Sequence, residues 1–210
     1  METLITITTI LSVLILGCIS PGPSFVLVAK LALSNSRNDG IAAALGMGVG
    51  GIIFSLLALL GLQAVLESVP ALYMVLKIVG GLYLIYLAVQ MIKGASARLQ
   101  IEPTKYRNEQ QLKKSFTVGI LTQLSNPKTA IYYTSVFAAL LPNNFSNSLY
   151  IVLPPIVFVM EAGWYSFVSI VLSSPKPRAI YLKWKAGFDR VAGGVMSLLG
   201  IKLLASSTSL

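Results

Sequence analysis

The sequence predicts an all-α integral membrane protein with six transmembrane helices, in two halves that form a 3+3 inverted repeat with broken helices 1 and 4. Three observations predict it. Of 210 residues, 55% are hydrophobic and 11% charged, whereas a soluble domain carries about 25% charged residues. The apolar residues fall in blocks of about twenty, the length that crosses a bilayer, rather than in short amphipathic periods. Two of these blocks are interrupted by proline at corresponding places in the two halves, the pattern of a transporter site.

The first span covers about 4–33 and is broken at Ser20-Pro21-Gly22-Pro23. Residues 1–9 contain no lysine or arginine, so the basic start of a secretory signal is missing. Ile15-Leu16-Gly17-Cys18 faintly resembles a lipoprotein cleavage site, but the apolar run resumes after Pro23 and argues for one long span. A short turn at 34–40 carries Arg37 and Asp39.

The second span, about 41–65, contains Gly46, Gly48, Gly50 and Gly51. Three of these match a dinucleotide-binding glycine pattern, which needs a preceding strand in a βαβ unit that this chain does not have. Glycines at this density in a membrane helix let neighbouring helices pack closely. They suit internal packing or a homodimer face.

Glu67 and Pro70 mark the next turn, and the third span covers about 71–92. A long polar stretch, 93–115, then carries Lys93, Arg98, Lys105, Arg107, Lys113 and Lys114 against Glu102 and Glu109. It joins the half-repeats, about 1–92 and 116–205, of one transporter domain spanning 1–210. The fourth span, about 116–141, is broken at Ser125-Asn126-Pro127-Lys128. Proline removes a backbone donor and clashes with the preceding turn. Asn126 is a good N-cap, and Pro127 suits the first position of a new helix.

The fifth span covers about 149–172, with a kink expected at Pro154-Pro155. A second basic loop, 173–187, carries Lys176, Arg178, Lys183 and Lys185, with Tyr181 and Trp184 suited to the headgroup level. The sixth span covers about 188–205. Lys77 and Lys202, nearer span ends, are expected to snorkel to the interface.

With six spans, all the basic residues that lie in loops fall in the three loops on one face. The positive-inside rule therefore places both basic loops in the cytoplasm and both termini outside. The net charge of +9 reflects this distribution and not nucleic-acid binding. The inverted repeat draws further support from Lys77-Ile78-Val79-Gly80-Gly81-Leu82 in the third span, which resembles Arg190-Val191-Ala192-Gly193-Gly194-Val195 in the sixth.

Candidate site residues gather at the breaks. Ser20 and Asn126 each precede a proline, and a helix restarting there turns unpaired N–H groups and its positive end toward the break. Such an end seats a carboxylate or another anion. The substrate site is therefore assigned to Ser20, Pro21, Gly22, Pro23 and Ser24 with Asn126, Pro127 and Lys128. Ser24 adds a hydroxyl and Lys128 a full charge deep in a hydrophobic span. The alternative is that the prolines only kink the helices for packing.

Glu161 is acidic at the centre of a span, where a carboxylate must pair, protonate or face a water-filled cavity. It is the candidate proton-coupling group, with two alternatives: a receptor for a substrate ammonium, or a static partner for Lys128. Trp164 and Tyr165 follow on the same helical face and could wall a cavity or simply pack.

Histidine is absent and Cys18 is the single cysteine. No internal disulfide or dithiol relay can form, and the commonest metal ligand is lacking. No metal, cofactor or catalytic residue is expected, and a membrane enzyme or redox carrier is the weaker class. A scaffold would leave Glu161 and Lys128 without a purpose.

These residues also carry a family likeness. Ser20-Pro21-Gly22-Pro23, Asn126-Pro127-Lys128 and the glycine-rich second and third spans resemble the lysine exporter and homoserine/threonine efflux family. Val79-Gly80-Gly81-Leu82-Tyr83-Leu84, Ser125-Asn126-Pro127-Lys128-Thr129-Ala130-Ile131-Tyr132 and Glu161-Ala162-Gly163-Trp164 look most like its threonine-efflux branch. The resemblance spans almost the whole chain apart from the basic loops. It implies export of amino acids from the bacterial cytoplasm through the inner membrane, energised by the proton-motive force. Members often carry aspartate directly after the proline-glycine-proline, where this chain has Ser24, so more weight falls on Glu161. The expected cargo is a small, neutral amino acid of the threonine or homoserine type, with a cationic amino acid or another small metabolite as the alternative.

Overall fold

The computed structural model describes residues 2–20, 22–68, 70–96, 111–142 and 145–207. These residues form eight α-helices and no strand: α1 (Glu2–Ile19), α2 (Pro23–Ser34), α3 (Arg37–Ser68), α4 (Pro70–Gly94), α5 (Gln111–Leu124), α6 (Pro127–Leu140), α7 (Leu149–Leu172) and α8 (Pro175–Ala205). Pro21 and most of the first basic loop, with Arg98, Glu102, Lys105, Arg107 and Glu109, lie outside the described residues.

Both expected breaks are present. α1 and α2 are bent by 59° across the first, and α5 gives way to α6 at Asn126. The fifth span has the expected ends and runs as one helix through Pro154 and Pro155. Among the described residues, three helical stretches are each long and apolar enough to cross a membrane: Arg37–Leu62, Met74–Gly94 and Leu149–Leu172. The bent α1–α2 pair passes the same test when its two pieces are taken together as one span. The remaining two expected spans are less clear-cut for physical reasons. α5 and α6 have 14 residues each, short of the roughly 20 that a span needs. The apolar part of α8 carries Asp189, Arg190 and Lys202.

The basic segments depart from expectation: the end of the first, 111–115, already belongs to α5. The second basic segment, read as the loop 173–187, is helical from Pro175 and continuous with the sixth span. Pro175 opens the helix, where its missing N–H costs nothing, and Lys185 pairs with Asp189 one turn on at 2.7 Å.

The helices are apolar inside and out. Leu57, Leu60, Val79, Leu82, Ile151, Val159, Val191, Leu198 and Ile201 are all exposed, a belt that water would not tolerate and lipid does. Inside, α3 packs against α5 and α7, and α4 against α8. Glycines set these contacts. A Cβ at Gly46 would strike the backbone of Phe116, and one at Gly119 the backbone of Ala43, so α3 and α5 touch through their main chains. Gly81 and Gly200 do the same for α4 and α8. Gly46, Gly48, Gly50 and Gly51 of the second span thus serve internal packing.

Candidate functional site

The two breaks meet in the middle of the bundle, and α3 and α7 close around them. At the first break the local expectation needs correction. Ser20 is not the cap of the restarting helix. Pro23 takes the first helical position, and the extended Gly22 (φ −152°, ψ −176°) sits at the cap with no side chain to accept a bond. Two prolines compete to start α2, and the second one wins. The first amides of α2 therefore have no side-chain acceptor at the cap. The second break follows expectation: Asn126 Oδ1 accepts the Lys128 N–H at 3.1 Å, and Pro127 opens α6. Asn126 thus caps its own helix, which leaves the α2 end as the more open of the two.

Lys128 does not pair with Glu161. Its Nζ donates to the carbonyls of Gly17 and Ser20, at 3.3 Å each. It supplies a cation to the carboxyl-terminal end of α1, where the helix dipole is negative and carbonyls lack partners. A Cβ at Gly22 would lie 3.5 Å from Nζ, so the ammonium also borders the start of α2.

Glu161, on α7, is 1% exposed. Gln123 Nε2 donates to both its carboxylate oxygens, at 2.9 and 2.8 Å. Tyr133 Oη donates to Oε1 at 2.8 Å, and the Cys18 thiol stands 3.9 Å from the same oxygen. Gly51 of α3 leaves the room: a Cβ there would lie 2.6 Å from Glu161 Oε2.

The network continues to both breaks. Asn126 Nδ2 donates to Ser24 Oγ at 3.1 Å, and Ser24 Oγ donates to Gln123 Oε1 at 2.6 Å. Each bond from Asn126 onward is donated in the direction of Glu161. Six predicted site residues (Ser20, Gly22, Ser24, Asn126, Lys128 and Glu161) therefore line one cavity, together with Tyr133 and Tyr165. The cavity has a volume of about 20 Å3, room for about one water molecule. Pro23 and Pro127 are exposed and shape the breaks without lining it.

Sequence reasoning missed Gln123, Tyr133 and Gly51. An amide and a phenol inside a span were signals for the first two, since buried polar groups in lipid need partners. It also passed over Asp189, which is 1% exposed and held by Lys185. Trp164 faces away from the cavity, its indole N–H donating to the Cys18 carbonyl at 3.1 Å.

The sequence of the chain is matched by known proteins. The LysE type translocator family matches residues 15–207 of the chain. The chain belongs to that family. The threonine efflux protein of Salmonella typhi is 32% identical over 199 residues, covering 94% of this chain and 97% of the relative. That of Escherichia coli K12 is 31% identical over the same shares. An uncharacterized membrane protein of Haemophilus influenzae is 31% identical, covering 90% of each chain. No solved structure matches. As a LysE type translocator, the chain is a membrane transporter, and the exposed apolar belt is its lipid-facing surface.

Proposed function

We propose that this translocator exports a small neutral amino acid, of the threonine or homoserine type, from the bacterial cytoplasm in exchange for protons. The observation that carries the reading is the continuous chain of hydrogen bonds from the helix break at Asn126 through Ser24 and Gln123 to the buried carboxylate of Glu161. A zwitterion presents one carboxylate and one ammonium. The first amides of α2, with Lys128 beside them, suit the former, and Glu161 suits the latter. The same carboxylate can hold a proton when no ammonium is present, which links cargo and proton as alternatives. The relatives named for threonine efflux support the substrate class.

In this reading the chain is a single domain that crosses the membrane six times. Its two inverted halves, 1–92 and 116–205, are joined by the cytoplasmic loop 93–115, and both termini lie outside. The pairing of α3 with α7 and of α4 with α8, equivalent helices of the two halves, supports the repeat. The lopsided placement of lysine and arginine supports the orientation. The cavity is too small for an amino acid, so this is a closed state, and the helices must part to either side for loading and release.

Counterflow in liposomes tests the function. Vesicles holding purified protein and excess unlabelled threonine or homoserine should take up the labelled compound. Uptake of lysine alone would transfer the reading to a cationic cargo. Chemical conversion without flux would make the protein an enzyme and end it.

A further inference from the structure

A second cavity lies on the lipid-facing side of the molecule, away from Glu161. It is an almost wholly apolar cleft of about 370 Å3 between the end of α1, the α7 face and the first half of α8. Ile19, Trp164, Phe167, Ile180, Trp184 and Phe188 form its walls. Ile180, Trp184 and Phe188 recur every fourth residue, so they lie on one stripe of α8. Extending that stripe one turn toward the amino end of the helix reaches Lys176, and Lys183 flanks it three residues after Ile180. Both lysines are exposed, and the one ion pair among the described residues is Lys185–Asp189.

The slot thus has one cation, Lys176, beyond its amino-end and a second, Lys183, along its flank. From Lys176 to Phe188 the helix rises about 18 Å, slightly more than half of a hydrocarbon core about 30 Å thick. Trp184 is exposed beside the slot, as suits an aromatic residue near the headgroup level, whereas Tyr181 is buried against Phe25. A second copy of this chain fits poorly, because it would bring Lys176 and Lys183 against an equally basic face. An anion with an attached alkyl chain satisfies the cations and the slot at once.

We infer that this cleft binds an anionic glycerophospholipid, one acyl chain lying between α7 and α8 and the phosphate held by Lys176 and Lys183. The bound chain touches the transport machinery indirectly. Trp164, a wall of the cleft, donates its indole N–H to the carbonyl of Cys18, and Ile19, another wall, is the last residue of α1 before the break. The inference rests on the membrane placement of α7 and α8 and is independent of which cargo is moved.

The two tryptophans, Trp164 and Trp184, both line the cleft. Trp184→Phe leaves Trp164 as the sole reporter. This variant is reconstituted in phosphatidylcholine vesicles containing either chain-brominated phosphatidylglycerol or chain-brominated phosphatidylcholine, and fluorescence quenching is titrated. Brominated phosphatidylglycerol should quench at a mole fraction roughly 30-fold lower, as expected for two surface lysines. Adding Lys176→Gln and Lys183→Gln should abolish that preference and leave residual quenching by both lipids. Equal quenching by the two lipids before the lysines are changed would mean that only bulk lipid enters, and would overturn the inference. So would a preference that survives loss of both lysines, or a Trp164 that neither lipid quenches because a second copy covers it. Threonine counterflow in the same vesicles reports on the transport reading separately.

Discussion

Gln123 grips both carboxylate oxygens of Glu161 with a single amide nitrogen, at 2.9 and 2.8 Å. The other end of that amide accepts from Ser24, so its orientation is fixed from the first broken span. Replacing Gln123 by leucine would leave Glu161 and Ser24 each short of a partner, and an unmet buried polar group costs about 1–3 kcal/mol. Counterflow should fall at least tenfold in Gln123→Leu with protein still in the membrane. Gln123→Glu should be worse, because it sets a second carboxylate against the first. Initial rates of counterflow, normalised to folded protein on gel filtration, check both.

The close approach of Gly51 gives a steric test with an internal control. Alanine at Gly51 would press its Cβ on Glu161 Oε2 at 2.6 Å, while nothing lies within 4 Å of a Cβ at Gly61 on the same helix. Alanine stabilises a helix over glycine by about 1 kcal/mol. Gly61→Ala should therefore leave stability and transport intact or slightly improved. Gly51→Ala should cut transport severalfold, because Glu161 must leave Gln123 and Tyr133 to make room. Thermal melts in detergent alongside flux measurements separate the two outcomes.

The geometry at Ser24 says what an aspartate in its place would do. An ionised aspartate accepts from Asn126 but cannot donate to Gln123, whose amide would then turn toward position 24 and release Glu161. Ser24→Asp should transport less than Ser24→Ala. The double variant Ser24→Asp with Glu161→Gln holds one carboxylate again and should regain part of the uphill export. Export driven by an imposed pH difference measures this.

The pair of Lys185 and Asp189 is buried, with side chains 6% and 2% exposed. Asp189 Oδ1 has no partner beyond it, while Lys185 also holds the carbonyl of Gly94 at the end of α4. Removing one member of such a pair costs about 3–5 kcal/mol, and replacing both by apolar residues is often neutral. Lys185→Met should lower the melting temperature sharply, and Lys185→Met with Asp189→Leu should restore it.

What the sequence disclosed depended on how local each signal was. Asn126 and Pro127 are adjacent, so a cap followed by proline was readable, and α6 starts there. Glycine spacing in the second span was equally local and marked the tight face. At the first break, two prolines offered competing starts, and only the extended backbone of Gly22 decides for Pro23. The partners of Glu161 lie 28 and 38 residues away on other helices, and no periodicity reports such a meeting. Asp189 sat at the edge of an expected loop. The four-residue spacing from Lys185 was a helical signal that the density of charge obscured.

The central claim is that Glu161 couples export to protons, and Glu161→Gln in proteoliposomes tests it most directly. Glutamine keeps the shape and removes the titration. Under an imposed pH difference the variant should fail to accumulate threonine against a gradient, while still exchanging labelled for unlabelled threonine downhill. Accumulation equal to that of the native protein would contradict the claim and would leave Glu161 a structural anchor for Gln123 and Tyr133.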